Sequence, residues 1–189
     1  MESTRDKIIQ ATVTLFVQQG VAKTTTREIA ALAEVAEGSI YRYFPSKEEL
    51  AWQIFRDYHH QLAVILQINA EQPVSIQEQI YNLVVSFLQL ADDDWVLFQY
   101  YLSAQQKYLH RIDANLLTPY QVIIDIIKQG IKQKIIRSDD PQILAAMAMG
   151  AVQQIAINKQ FKRIKGPLSV HSKTISDIIC RMLFSATRD

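Results

Sequence analysis

Between Thr24 and Leu50 the chain reads TTTREIAALAEVAEGSIYRYFPSKEEL, and this stretch carries hydroxyl, phenol and guanidinium groups at helical spacing. Ile40 and Phe44 lie four apart and share a face that docks inward. Counting about 100° per residue from that face sets Gly38, Ser39, Tyr41 and Arg42 on the outward arc. A short helix with a small, hydroxyl-bearing and cationic outer face suits a nucleic-acid groove. Tyr and Arg reach bases and phosphates, and Gly38 lets the backbone come close. Arg42 faces outward on geometry alone and is placed to read guanine. Glu37 can accept a hydrogen bond from a cytosine amino group.

The elements that must hold these groups are legible on either side. Thr25 and Glu28 form an S/T-x-x-E capping box, so a helix begins there, with Ile29, Leu32 and Ala33 as its apolar stripe. Residues 25–33 and 37–44 are the two motif helices, joined by a tight turn in the outline of a helix-turn-helix. Residues 3–19 form a preceding helix, whose apolar face carries Ile8, Ile9, Ala11, Val13, Leu15 and Phe16, with Gly20 as its C-cap. Pro45 and Ser46 mark a break, and Ser46 with Glu49 opens a longer helix from Lys47 to about Ile68.

These residues resemble the TetR family of transcriptional regulators. The family's pattern runs T-x-x-x-I-A-x-x-A-G-V-S-x-G-x-L-Y-x-Y-F-x-S-K-E-x-L. This chain answers it with Thr25, Ile29, Ala30, Ala33, Val35, Gly38, Ile40, Tyr41, Tyr43, Phe44, Ser46, Lys47, Glu48 and Leu50. The resemblance covers about the first fifty residues; the rest matches only in length and helical character. It implies that Thr26 and Arg27 contact phosphate or a base edge, and that Ser39 and Tyr43 contact phosphates. It also implies that Tyr41 meets the backbone or a thymine methyl, and that Lys47 pairs with a phosphate.

Two positions depart from the pattern. Glu34 stands at the turn glycine, where a positive φ costs about 1 kcal/mol or more, unless the turn differs. Ala36 stands at the serine and cannot cap the second motif helix through a side-chain oxygen, a loss of about 1 kcal/mol. Glu37 offsets part of that by placing negative charge at the helix start. Charge is a further departure: residues 1–50 hold six Lys/Arg against seven acids, a net of −1. A non-specific polyanion binder would be strongly basic, so affinity must come from a few placed contacts and from pairing two copies.

Beyond residue 70 helical patterns continue at about 75–91, 93–110, 116–136, 140–162 and 171–186, with no strand alternation and no repeat. The expected fold is all-α: a three-helix head over residues 1–46 and a larger helical effector-binding and dimerisation body over 47–189. Pro119 reads as a first-turn proline or a kink, and Pro141 follows Asp139 or Asp140 as cap. Ala145, Ala148 and Ala151 let another helix approach, and Ile155, Ile175, Ile178, Ile179 and Met182 extend an apolar stripe. Those faces either close the body's own core or pair two chains. The family's use of its last two long helices favours a homodimer, which sets two heads about one DNA turn (~34 Å) apart on a palindromic operator. Trp95, Phe98, Tyr101 and Leu102 cluster on one helix, either as core or as the wall of an effector cavity, with Tyr120, Gln153 and Gln154 as polar groups to orient a ligand. The apolar richness leans toward a hydrophobic or aromatic effector. By resemblance, that effector moves the helix at 47–68 and weakens DNA binding.

Composition excludes other classes. A chain of 189 residues with five Gly, five Pro and 49% hydrophobic residues supports a substantial helical core. MESTRDK opens with no secretory signal pattern, and no apolar run spans a bilayer, so no membrane partner and a cytoplasmic location are expected. The single Cys180 reads as a small core residue. His59 and His60 are adjacent and splay apart on a helix, so no metal site is expected, and surface or capping roles are assigned to the four histidines. No phosphate loop, nucleophile elbow or catalytic acid pair is present, so neither an enzyme nor a cofactor is expected. The rival reading is a helical dimer that senses a ligand or binds a protein through a weakened DNA head.

Overall fold

Ser3 accepts a hydrogen bond from the Asp6 amide while the Asp6 carboxylate accepts from the Ser3 amide, and this reciprocal cap starts the first helix. The computed structural model describes residues 3–184, among which there are nine α-helices: α1 (Thr4–Gln19), α2 (Thr26–Leu32), α3 (Glu37–Tyr43), α4 (Lys47–Ala70), α5 (Ile76–Asp93), α6 (Trp95–Tyr108), α7 (Pro119–Lys132), α8 (Pro141–Gln160) and α9 (Ser172–Leu183). The all-α expectation holds across the described residues. The α9 span expected to reach residue 186 runs partly outside the described residues.

Packing forms two units. The first comprises residues up to His59 together with Asp94–Ala114; the second comprises His60–Asp93 and the chain from Asn115 onward. This grouping by contact differs from the division of roles drawn between residues 46 and 47. It places the first half of α4, and all of α6, with the three N-terminal helices.

In the first unit α1 packs on α6 and on α2, and α2 packs on α3. Ile8 and Phe16 from α1, Ile29 from α2, and Ile40 and Phe44 at α3 meet in its core. The aromatic run of α6 is core here. Tyr100 and Phe16 rings lie 5.6 Å apart, and Phe55 stacks on Tyr101 at 5.5 Å. The Tyr100 hydroxyl donates to the Ala51 carbonyl, which fixes α6 to α4. Burial, then the neighbouring Tyr108, raises the Tyr100 phenol above its usual range, so it stays protonated. His59 corrects the surface role assigned to the histidines. It is buried, stacks on Phe55 at 5.6 Å and shares a hydrogen bond with the Tyr101 hydroxyl at 3.1 Å. A face shared with Phe55 and Leu62 carries it inward, while His60 is turned to solvent.

In the second unit α5 packs on α9, α7 on α8, and α8 on α9. Thr118 caps α7 and Pro119 takes its first turn, so the helix begins later than the pattern at 116 suggests. It also ends sooner, because Lys134 adopts φ +60° and Ile136 bridges to Phe184. Asp140 caps α8 and Pro141 follows. Cys180 is buried, and that burial raises its thiol pKa. Among the described residues no helix is long and apolar enough to cross a membrane.

Candidate nucleic-acid interface

The turn between α2 and α3 forms despite two unfavourable residues. Glu34 occupies the left-handed region at φ +56°, so the backbone demands there what glycine normally supplies. Ala36 starts α3 with no side-chain cap. The turn is nonetheless held by backbone bonds, Glu34 to Ala31 at 3.3 Å and Val35 to Ala30 at 3.0 Å. Inward packing of Ile29, Ile40 and Phe44 sets the angle of the two helices. The Thr25–Glu28 capping box is present in both directions. Hydrogen bonds from the Thr25 amide, the Thr25 hydroxyl and Gln19 hold the Glu28 carboxyl below its usual pKa.

The outward arc is as the spacing requires. Tyr41 is 52% exposed and Tyr43 43%, values that leave both rings open to an outside surface. Gly38 and Arg42 are exposed, and Ser39 is half-buried. Neither Arg27 nor Arg42 makes an ion pair among the described residues, so both guanidinium groups are available. At Gly38 an added Cβ would meet nothing within 4 Å, and the residue has no positive φ. The fold itself therefore does not need glycine there. Glycine in a helix's first turn still costs roughly a few tenths of a kcal/mol relative to alanine, and close approach of an external backbone gives that cost a reason.

Two groups are more engaged than sequence suggests. The Lys47 ammonium donates to the Thr24 carbonyl at 2.7 Å and reaches the Ala22 carbonyl at 3.5 Å. It closes the α1–α2 turn and keeps one donor for another partner. The Thr26 hydroxyl donates to Glu37 Oε1 at 2.6 Å and lies 3.2 Å from the Tyr41 hydroxyl. Helix spacing could not reveal this link, because it joins residues eleven and fifteen apart across the turn.

The other candidate sites separate. Phe98 and Tyr101 are buried among Phe55, Tyr58 and His59 in the first unit, while Trp95 and Leu102 are half-buried. Tyr120, Gln153 and Gln154 belong to the second unit; the Tyr120 hydroxyl donates to the Gln142 carbonyl, and Gln154 is exposed. On α8 and α9, Ala145, Ala148, Ile175 and Ile179 are buried against their own unit, so they close its core. Ala151 and Ile178 face solvent, and Ile155 and Met182 are half-buried. The outward apolar face also includes Ile143 and Met147, at 59% and 50% exposure, which the sequence reading passed over. Their spacing of four, with Ala151 the next step on, was the available signal.

A three-helix head presenting an exposed, glycine-containing second motif helix with free guanidinium groups beside it defines a helix-turn-helix DNA-binding regulator. The sequence profile described as "Bacterial regulatory proteins, tetR family" matches residues 8–54. The protein named probable HTH-type transcriptional regulator YttP of Bacillus subtilis (strain 168) is 30% identical over 138 residues, covering 70% of this chain and 67% of that one. The HTH-type transcriptional repressor KstR2 of Mycolicibacterium smegmatis is 39% identical over 56 residues, an alignment spanning 30% of this chain and 27% of that protein. The crystal structure of the transcriptional regulator FadR from Bacillus subtilis in complex with stearoyl-CoA superposes with a TM-score of 0.76 at 20% identity, covering 92% of this chain and 96% of the other. This chain belongs to the TetR family.

Proposed function

We propose that the protein is a homodimeric repressor, two copies of whose head occupy a palindromic operator, and that a small apolar effector in the helical body releases it. The carrying observation is the outward surface of α3, where Tyr41 and Tyr43 are exposed and Arg42 is unpaired. In this reading Arg27, Ser39, Tyr43 and Lys47 position the head on phosphates, with Thr26 holding Glu37 and Tyr41 beside them. Gly38, Tyr41 and Arg42 approach the bases. The head is residues 1–46, and the body from 47 onward pairs and senses.

An exposed apolar face supports pairing. Ile143, Met147, Gly150 and Ala151 line the outer side of α8, and Ile178 lies exposed on α9, which packs on α8. Large apolar side chains left outward on two packed helices are the usual mark of a self-complementary interface. For the effector, the apolar composition of the helices beyond residue 47 favours a hydrophobic or aromatic ligand. The stearoyl-CoA bound by the Bacillus subtilis FadR is of that class: a long apolar chain on a polar head. Release requires only that the effector bind better to a conformer whose heads misfit the operator.

A mobility shift of genomic fragments at moderate salt, paired with sedimentation of the free protein, tests the reading. Retention of a discrete fragment by a dimer is expected, with Tyr41→Ala losing that fragment while sedimenting unchanged. A protein that retains no duplex, or that sediments as a monomer at micromolar concentration, would refute it.

A further inference from the structure

Glu37 is the one acid of α3; it is exposed at the helix's first position, one turn before Tyr41, where a polyanion is expected to dock. A free carboxylate there repels phosphate, so its presence calls for a partner that is not phosphate. Its geometry is defined. The single Thr26 hydroxyl proton is directed at Glu37 Oε1, at 2.6 Å. The Tyr41 hydroxyl, 3.2 Å from the same Thr26 oxygen, is therefore the donor in that second contact. Tyr41, Thr26 and Glu37 form a directed relay in which each hydrogen bond polarises the next. One carboxylate oxygen is anchored in it, and Oε2 accepts no hydrogen bond among the described residues.

An anchored, exposed acceptor with no donor left to offer has one complement on the floor of the major groove. Only the exocyclic amino groups, N4 of cytosine and N6 of adenine, donate there; guanine O6 and thymine O4 accept. Resting on the DNA-binding reading above, we infer that Glu37 is a specificity-determining residue. Its outer oxygen takes an exocyclic amino group in each half-site, held in register by Thr26 and Tyr41. It also rejects guanine and thymine at that position by acceptor–acceptor repulsion, and it lowers affinity for arbitrary duplex by repelling phosphate.

The experiment is enrichment of duplexes from a randomised library by purified full-length wild-type, Glu37→Gln and Glu37→Ala proteins, with thermal unfolding of each to confirm folding. The wild type is expected to enrich a two-fold site with one column per half-site confined to cytosine or adenine; which base fills it identifies the amino group read. Glu37→Gln keeps an oxygen for Thr26 and turns an NH2 donor outward, so the same column should move to guanine or thymine. Glu37→Ala should flatten that column alone, by roughly tenfold in preference, as expected for one charge-assisted bond. Its affinity for a scrambled duplex should rise about threefold, the Coulomb effect of one charge ~7 Å from a phosphate in water. A column unchanged in both variants, or a wild-type site with no cytosine- or adenine-restricted column, would overturn the inference while leaving DNA binding intact. A wild type that enriches nothing would remove the DNA-binding reading and this one with it.

Discussion

The Asp92 carboxylate lies 2.7 Å from the Lys159 ammonium, and the two side chains are only 12% and 17% exposed. The same carboxylate accepts from the amides of Leu168 at 2.9 Å and Ser169 at 2.8 Å, so the end of α5 holds the chain between α8 and α9. Burial pushes this carboxyl up, but Lys159 and the two amides outweigh it and hold it at about 2, against 3.8 ordinarily. A folded pKa below the unfolded one stabilises above the unfolded value. That contribution is complete above about pH 4 and is lost as pH falls through about 2. We expect Asp92→Asn to lower unfolding free energy at pH 7 by about 2 kcal/mol. The gap from wild type should narrow between pH 4 and pH 2. Urea unfolding at a series of pH values checks it; a gap independent of pH would show that the charge is not what stabilises.

The two weak positions of the motif turn should be improvable. Glu34 at φ +56° bears a left-handed cost that glycine does not, partly offset by glycine's greater unfolded-state entropy. Glu34→Gly is expected to stabilise by about 0.5–1 kcal/mol. Ala36→Ser supplies the missing cap of α3 and should add about 1 kcal/mol. Thermal unfolding of the single and double variants tests both. A destabilised Glu34→Gly would mean that the Glu34 side chain has a role the geometry does not disclose.

What sequence could disclose follows from how local the cause is. Caps and first-turn prolines act within four residues, so Thr25 with Glu28 was readable as a helix start and Pro141 fitted one with Asp139 or Asp140 as cap, while Pro119 left a first turn and a kink both open. The outward arc of α3 was readable for the same reason: Ile40 and Phe44 set the phase. Asp92 was not, since its partners lie 67 to 77 residues away along the chain. His59 was misplaced because residue type suggested surface, whereas Phe55 and Leu62 on the same face decided burial. On α8 an almost continuously apolar sequence has no phase, so which alanines face inward needed the neighbouring helices.

That outward α8 face gives a sharp test of pairing. Met147 is half exposed in the chain itself, so Met147→Asp should leave the protomer folded. In a two-fold interface the substitution occurs twice, and burying each unpaired carboxylate costs on the order of 2 kcal/mol, so the dimer should weaken by roughly a thousandfold. Sedimentation at micromolar concentration should show monomer, with unchanged helicity. A dimer as tight as wild type would move the interface elsewhere.

Gly38 sets stability against function most directly. An added Cβ meets no protein atom within 4 Å, and the residue sits in the first turn of α3, so Gly38→Ala should raise unfolding free energy by roughly 0.5 kcal/mol through helix propensity alone. A fold-only role for the glycine predicts that DNA binding then improves or stays level. If Gly38 is there to let the α3 backbone approach a duplex, the same methyl group stands between the helix and its target. Operator affinity should then fall by roughly tenfold while Tm rises. Measuring both on one preparation separates the cases, because only an external surface in contact with Gly38 makes the two quantities move in opposite directions.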